Sequence, residues 1–294
     1  MTSTSWELTE GDKISDRLIA MKLLGGGSAY EAYLAFDQLL YAPVVVKVVR
    51  PDQVDDKSTL RGLERETDLV GTLNHPGLVR SFHAVLDGER PHLVLENLDG
   101  PRLSSLIRRH GPLPMQQLLP LALELASVTH YLGERGIVHL DIKPSNIIMG
   151  APARLIDLSV ARSVDRAAAL DHVVGTDAYL APEQADPPRS GQPGPASDVW
   201  GIGATLFHAV AGYRPFVRGS SDDDAPAERR WPQLVDRPMP LPDHVPVAVA
   251  GLIEDCMAFE PAHRPTPQQV AEQLEPLLGA LPRPRLAGIK LSMR

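Results

Sequence analysis

The chain has 294 residues, enough to bury a sizeable core in one large domain or two packed lobes. Hydrophobic residues at 43% and charged residues at 22% exclude wholesale disorder, and a formal net charge of −8 argues against a general nucleic-acid binder, which needs a basic field to meet phosphates. The sole cysteine, Cys256, excludes an intrachain disulfide framework and a cysteine-rich zinc site.

The start, Met1-Thr2-Ser3-Thr4-Ser5, carries neither a basic cluster nor an apolar run, and no apolar stretch approaches the ~20 residues of a membrane helix. The expectation is a soluble chain without a leader or membrane span, working in a reducing cytoplasm. Residues 1–16 read as a tail. Strands are expected at 17–24, 32–36 and 44–49, the last rich in β-branched residues. A charged helix follows over about 58–73, with Leu60, Leu63, Val70 and Leu73 on one side. Two more apolar runs, 79–86 and 92–95, complete a small sheet.

Beyond Asp99-Gly100 the pattern turns helical. Residues 118–132 carry apolar side chains at helical spacing and stop near Gly136, a left-handed cap. An apolar helix at 199–210 is expected inside the fold. A last helix, 266–278, opens on Thr266-Pro267, an N-cap with proline at the first helical position. The segments 187–195 and 219–228 read as exposed loops, and Asp222-Asp223-Asp224 as a solvated run. The surface at Trp231-Pro232 and the acidic loop before it could dock a partner, although exposed loop residues without function are commoner, and residues 282–294 form a short tail.

The chemistry concentrates in His139-Leu140-Asp141-Ile142-Lys143-Pro144-Ser145-Asn146, with Asp157 eleven residues after Asn146. Phosphoryl transfer to a hydroxyl needs a carboxylate at the incoming oxygen, oxygen ligands for a divalent metal, and fixed positive charge. Asp141, Asn146, Asp157 and Lys143 supply those groups; a polar loop between two strands is the plainer reading of the segment alone. Gly25-Gly26-Gly27 lies between two strands, where backbone amides can approach phosphates, although a hairpin turn has the same look. Lys47 stands in an apolar strand, where a lysine is costly unless paired. Glu66 shares the sheet-facing side of the helix with Leu63 and Val70 and is the expected partner; Glu64 points elsewhere.

In this order these segments, with Ala181-Pro182-Glu183, Asp198-Val199-Trp200-Gly201-Ile202-Gly203 and His263-Arg264-Pro265, resemble the eukaryotic-type protein kinase family from about Leu18 to Leu278, in its bacterial serine/threonine form. The resemblance implies an α+β, bilobal fold: a small antiparallel β-sheet lobe with one helix (17–97) and a larger, mainly helical lobe (98–281). It implies that ATP is the phosphate donor, with magnesium as cofactor or manganese in its place, and that a protein serine or threonine accepts. By resemblance Asp141 orients the acceptor hydroxyl, Lys47 held by Glu66 grips the α- and β-phosphates, Asn146 and Asp157 bind metal, and Lys143 steadies the γ-phosphate. Gly25, Gly26 and Gly27 cover the phosphates. Adenine lies between Ala32 and Val45 above and Ile148 below, beside Leu95 as gatekeeper and Glu96 to Leu98 as hinge. Glu183 and Arg264 form a buried ion pair, and Asp198 braces the catalytic loop.

Four positions depart from the family. Tyr30 replaces the third glycine of the phosphate loop and must project away from the nucleotide or over it. Leu140 replaces the arginine that receives an activation-loop phosphate, and the segment 161–174 offers only Ser163 as acceptor, so activity is expected not to depend on phosphorylation there. Asp157-Leu158-Ser159 replaces the usual triplet ending in phenylalanine and glycine. Val45 adds bulk above the adenine. The alternative is a pseudokinase, a nucleotide-binding scaffold or allosteric regulator; a small-molecule phosphotransferase would lack the Ala181-Pro182-Glu183 segment and the Arg264 partner. Regulation is expected through dimerisation, a partner or expression level.

Overall fold

Alternation along the third strand sets the small lobe. In the computed structural model, which describes residues 4–281, strands β1 (Leu18–Gly26), β2 (Tyr30–Asp37) and β3 (Ala42–Val49) pair antiparallel in sequence. Helix α1 (Lys57–Thr72) comes next, and β4 (Ser81–Val85) and β5 (His92–Glu96) close a five-stranded sheet in the order β1-β2-β3-β5-β4. Side chains on a strand point to opposite faces by turns. Val44, Val46 and Val48 therefore join Tyr33, Ala35 and Val94 in a core on one face. Val45, Lys47 and Val49 face the other way, where α1 and the cleft lie.

Residues 6–16, read from sequence as tail, lie against this first core. Ile14 is buried in it, and Trp6 and Leu8 pack on its rim. The Trp6 indole donates to the Val49 carbonyl at 2.7 Å. Helix α1 starts on Asp56, whose carboxylate accepts from the Thr59 N–H, and it buries Leu63, Glu66 and Val70.

The large lobe holds α2 (Leu103–His110), α3 (Met115–Glu134), β6 (Ile137–Val138), β7 (Ile147–Ile148), β8 (Arg154–Leu155), β9 (Arg162–Ser163) and α4 (Val164–Ala168). After these come α5 (Pro182–Ala185), α6 (Pro187–Ser190), α7 (Pro195–Ala211), α8 (Ala227–Arg230), α9 (Val247–Cys256) and α10 (Pro267–Gly279). Gly136 has φ 67°, the left-handed conformation expected after α3. Helix α7 is buried almost all round, and α10 carries the Thr266 cap. Among the described residues no helix is long and apolar enough to cross a membrane. The expected tail at 282–294 lies outside the described residues.

Trp231 corrects the sequence reading. It is only 7% exposed, packs with Leu180 and Ala185, and donates its indole N–H to Asp177 at 3.0 Å. The Trp231-Pro232 pair is a structural peg and offers no docking surface. The acidic run is solvated, as expected, with Asp223 paired to Arg230 at 2.9 Å.

Candidate active site

The cleft between sheet and helices gathers two connected sets of polar side chains. In the first, Lys47 Nζ lies 2.7 Å from Glu66 Oε2 and 3.0 Å from Asp157 Oδ1. Burial alone would draw the ammonium toward neutrality, but the two carboxylates outweigh it and raise the pKa above the usual lysine value. Burial likewise opposes charge on Asp157, and Lys47 overrides it, holding that carboxyl well below its ordinary range. Glu66 is 1% exposed, so the helix face chosen by spacing is the one that meets the lysine.

The second set surrounds Asp141. Its Oδ2 accepts from Lys143 Nζ at 2.6 Å and from Asn146 Nδ2 at 3.0 Å, and its Oδ1 accepts from the Thr176 hydroxyl at 2.7 Å. Lys143 also donates to the Thr176 hydroxyl. Asn146 Nδ2 additionally donates to the Asp141 carbonyl at 3.0 Å, which commits the amide nitrogen and leaves its oxygen as the donor atom for a cation. An amide oxygen and the ionised Asp157 fit a hard divalent cation that draws further ligands from water and phosphates. Among the described residues, no three His, Cys, Asp or Glu side chains converge as a self-sufficient metal site.

The loop bearing Asp141 is strapped from behind. Asp198, 2% exposed, accepts the consecutive N–H groups of His139 at 2.7 Å and Leu140 at 2.8 Å. Burial pushes the Asp198 carboxyl up to about 7, against those two donors, which favour its charged form. Leu140 and Asp157 both have left-handed backbones, φ 66° and 69°, an uncommon conformation that the surrounding bonds must hold. Gln184 adds a bond to the Leu140 carbonyl at 2.9 Å.

Beside these sets lies a mostly apolar cavity of about 320 Å³ lined by Ala32, Val45, Leu95, Glu96, Leu98 and Ile148, all expected from the sequence. It opens toward a second cavity of about 450 Å³ lined by Gly25, Gly26, Gly27, Lys47, Lys143, Asn146 and Asp157. The Glu96 carboxylate accepts from the Arg80 N–H at 2.8 Å and from Arg154 at 3.2 Å, and its own N–H donates to the Arg80 carbonyl at 2.9 Å. Ile156 and Arg102 line both cavities and were not singled out in the sequence. Ile156 carries a signal in hindsight, the apolar residue before a metal-type aspartate; Arg102 carries none.

Two of the altered neighbours have clear destinations. Leu158 is 1% exposed in the main core, filling the apolar slot expected of it. Leu140 joins Val138, Val160, Val164, Ala167, Leu170 and Val174 in an apolar cluster. Nearby, Arg65 and Arg162 both reach the Ser159 carbonyl, at 3.4 and 3.5 Å, and burial, then the charges of Arg65 and Arg166, lower the Arg162 pKa. In the large lobe, Arg264 holds Glu183 through two bonds of 2.6 and 2.8 Å, both side chains fully buried.

A two-lobed fold with this cleft defines a class, and residues 18–274 match the family model described as the protein kinase domain. The chain belongs to that family. It is 30% identical over 242 residues to the serine/threonine-protein kinase PknB of Mycobacterium leprae, covering 79% of this chain and 38% of that protein. It is 28% identical to the serine/threonine-protein kinase PrkC of Bacillus subtilis, covering 90% and 40% respectively. With the serine/threonine-protein kinase PknA of Mycobacterium tuberculosis the identity is 30%, over 86% of this chain and 59% of that protein.

Proposed function

We propose that this chain is a serine/threonine protein kinase that moves the γ-phosphate of ATP onto protein hydroxyls. The observation that carries the reading is that the two polar sets around Lys47 and Asp141 share one cleft with an apolar slot beside it. The slot would take the adenine, and the Gly25-Gly26-Gly27 turn would cover the phosphates. Lys47, fixed by Glu66, would hold the α- and β-phosphates. Asp141 would accept the proton of the incoming hydroxyl, and Lys143 would meet the charge that builds on the γ-phosphate. Asn146 and Asp157 would hold magnesium, or manganese in its place, whose charge offsets that of the phosphates when bound.

The Thr176 hydroxyl on Asp141 and Lys143 marks where an aliphatic alcohol fits, which supports serine and threonine as acceptors. Cytoplasmic location is part of the proposal, supported by a single buried thiol, Cys256. Control by a dimer contact or a regulatory partner is also part of it. The second reading, a pseudokinase scaffold, draws on Tyr30, an aromatic ring where the phosphate loop has glycine. Incubation with magnesium and γ-labelled ATP plus a mixed protein acceptor, followed by acid hydrolysis, separates the two. Labelled phosphoserine or phosphothreonine is expected; bound nucleotide with no labelled amino acid supports the scaffold.

A further inference from the structure

Tyr30 opens β2, and strand alternation turns it to the same face as Ala32 and Leu34, into the cleft. Its hydroxyl donates to the Thr59 carbonyl in the first turn of α1 at 2.8 Å. Its ring lies against Lys47, with Nζ 4.7 Å from the ring centroid. A third feature fits the other two. Gly62 occupies the interior of α1, where glycine is unfavourable, and a Cβ there would stand 2.9 Å from the Tyr30 hydroxyl oxygen. The glycine missing from the phosphate loop and the glycine present in the helix are two halves of one fit.

We propose that Tyr30 is a positioning residue: it ties the phosphate loop to α1 through the Thr59 carbonyl and the Gly62 notch, so that loop, Lys47 and Glu66 hold their closed arrangement together. This rests on the kinase reading above. Tyr30 lines the 450 Å³ cavity together with Lys143, Asn146 and Asp157, so the ring borders the phosphate space and does not fill it.

The test combines Tyr30→Phe, Gly62→Ala, the double variant and Tyr30→Gly, with two readouts: steady-state kinetics in magnesium-ATP, and amide hydrogen exchange of residues 58–66 without nucleotide. Loss of the hydroxyl bond predicts that Tyr30→Phe lowers kcat about threefold to tenfold, with KM for ATP changed less than about twofold, and speeds α1 exchange by a similar factor. Gly62→Ala should do the same in the parent chain. In the Tyr30→Phe background, where no hydroxyl meets the new methyl, it should be harmless. Unchanged exchange and kcat in Tyr30→Phe, or equal effects of Gly62→Ala in both backgrounds, overturn the proposal. Higher kcat in Tyr30→Gly would instead identify the ring as an obstruction, which also overturns it. If the parent chain transfers no phosphate, the kinase reading fails by itself, and the exchange measurements still decide whether Tyr30 holds α1.

Discussion

Lys47 and Glu66 show how much a residue-scale argument can reach from sequence. A lysine among valines must find a carboxylate, and helical spacing favours Glu66 over Glu64; the 2.7 Å contact agrees. Tyr30 was legible as a departure, but its destination was not. Whether the ring meets α1 or solvent depends on the distance between helix and sheet, which no local pattern encodes. Glu183 and Arg264, 81 residues apart, were legible only through resemblance. Both are buried, and Arg264 also donates to the carbonyls of Ala196, Ala258 and Phe259. Arg264→Ala leaves Glu183 as an uncompensated buried carboxylate, so stability should fall by about 3–5 kcal/mol. Urea unfolding of the variant measures it, and a loss under about 1 kcal/mol would show the pair to be dispensable.

At the scale of elements, the segment from β9 through α4 is held by greasy contacts around Leu140 where the family uses an arginine and a phosphate. Phosphatase-treated and untreated protein should therefore turn over at the same rate. A large loss on dephosphorylation, mapped to Ser163, would show that Arg65, Arg162 and Arg166 receive a phosphate after all. Helix α7 meets the short 177–179 helix through His208, whose Nδ1 lies 2.7 Å from the Tyr179 hydroxyl. Burial, then the charge of Arg214, lowers its pKa from 6.5 to about 4. The folded state thus resists a proton that the unfolded chain accepts, so this stability is present above pH 6.5 and drains away as pH falls toward 4. His208→Gln should flatten that part of the stability-against-pH curve. A variant curve as steep as the parent's would place the acid sensitivity elsewhere. Trp231 marks the limit of reading elements from sequence: in a polar, proline-rich stretch it looked exposed, and its partner Asp177 is 54 residues away.

For the molecule as a whole, order and spacing of motifs made the two lobes legible, because Lys47 and Glu66 belong to the sheet lobe while the Asp141 loop, Glu183 and Arg264 belong to the helical one. The packing of residues 6–16 was not legible. Trp6 meets Val49 across 43 residues, and nothing in Trp6-Glu7-Leu8 distinguishes a docked strap from a tail. That strap covers one face of the sheet and leaves the other to α1 and the cleft with its apolar slot. The central claim is that this arrangement transfers phosphate, with Asp141 at the acceptor oxygen. The most direct measurement compares γ-phosphate transfer by the parent chain and Asp141→Asn, with ATP binding followed in parallel. Transfer to serine or threonine by the parent is expected, with a fall of about a hundredfold to ten-thousandfold in the variant and ATP affinity nearly unchanged. Equal transfer by both proteins, or none by either with ATP still bound, would contradict the claim.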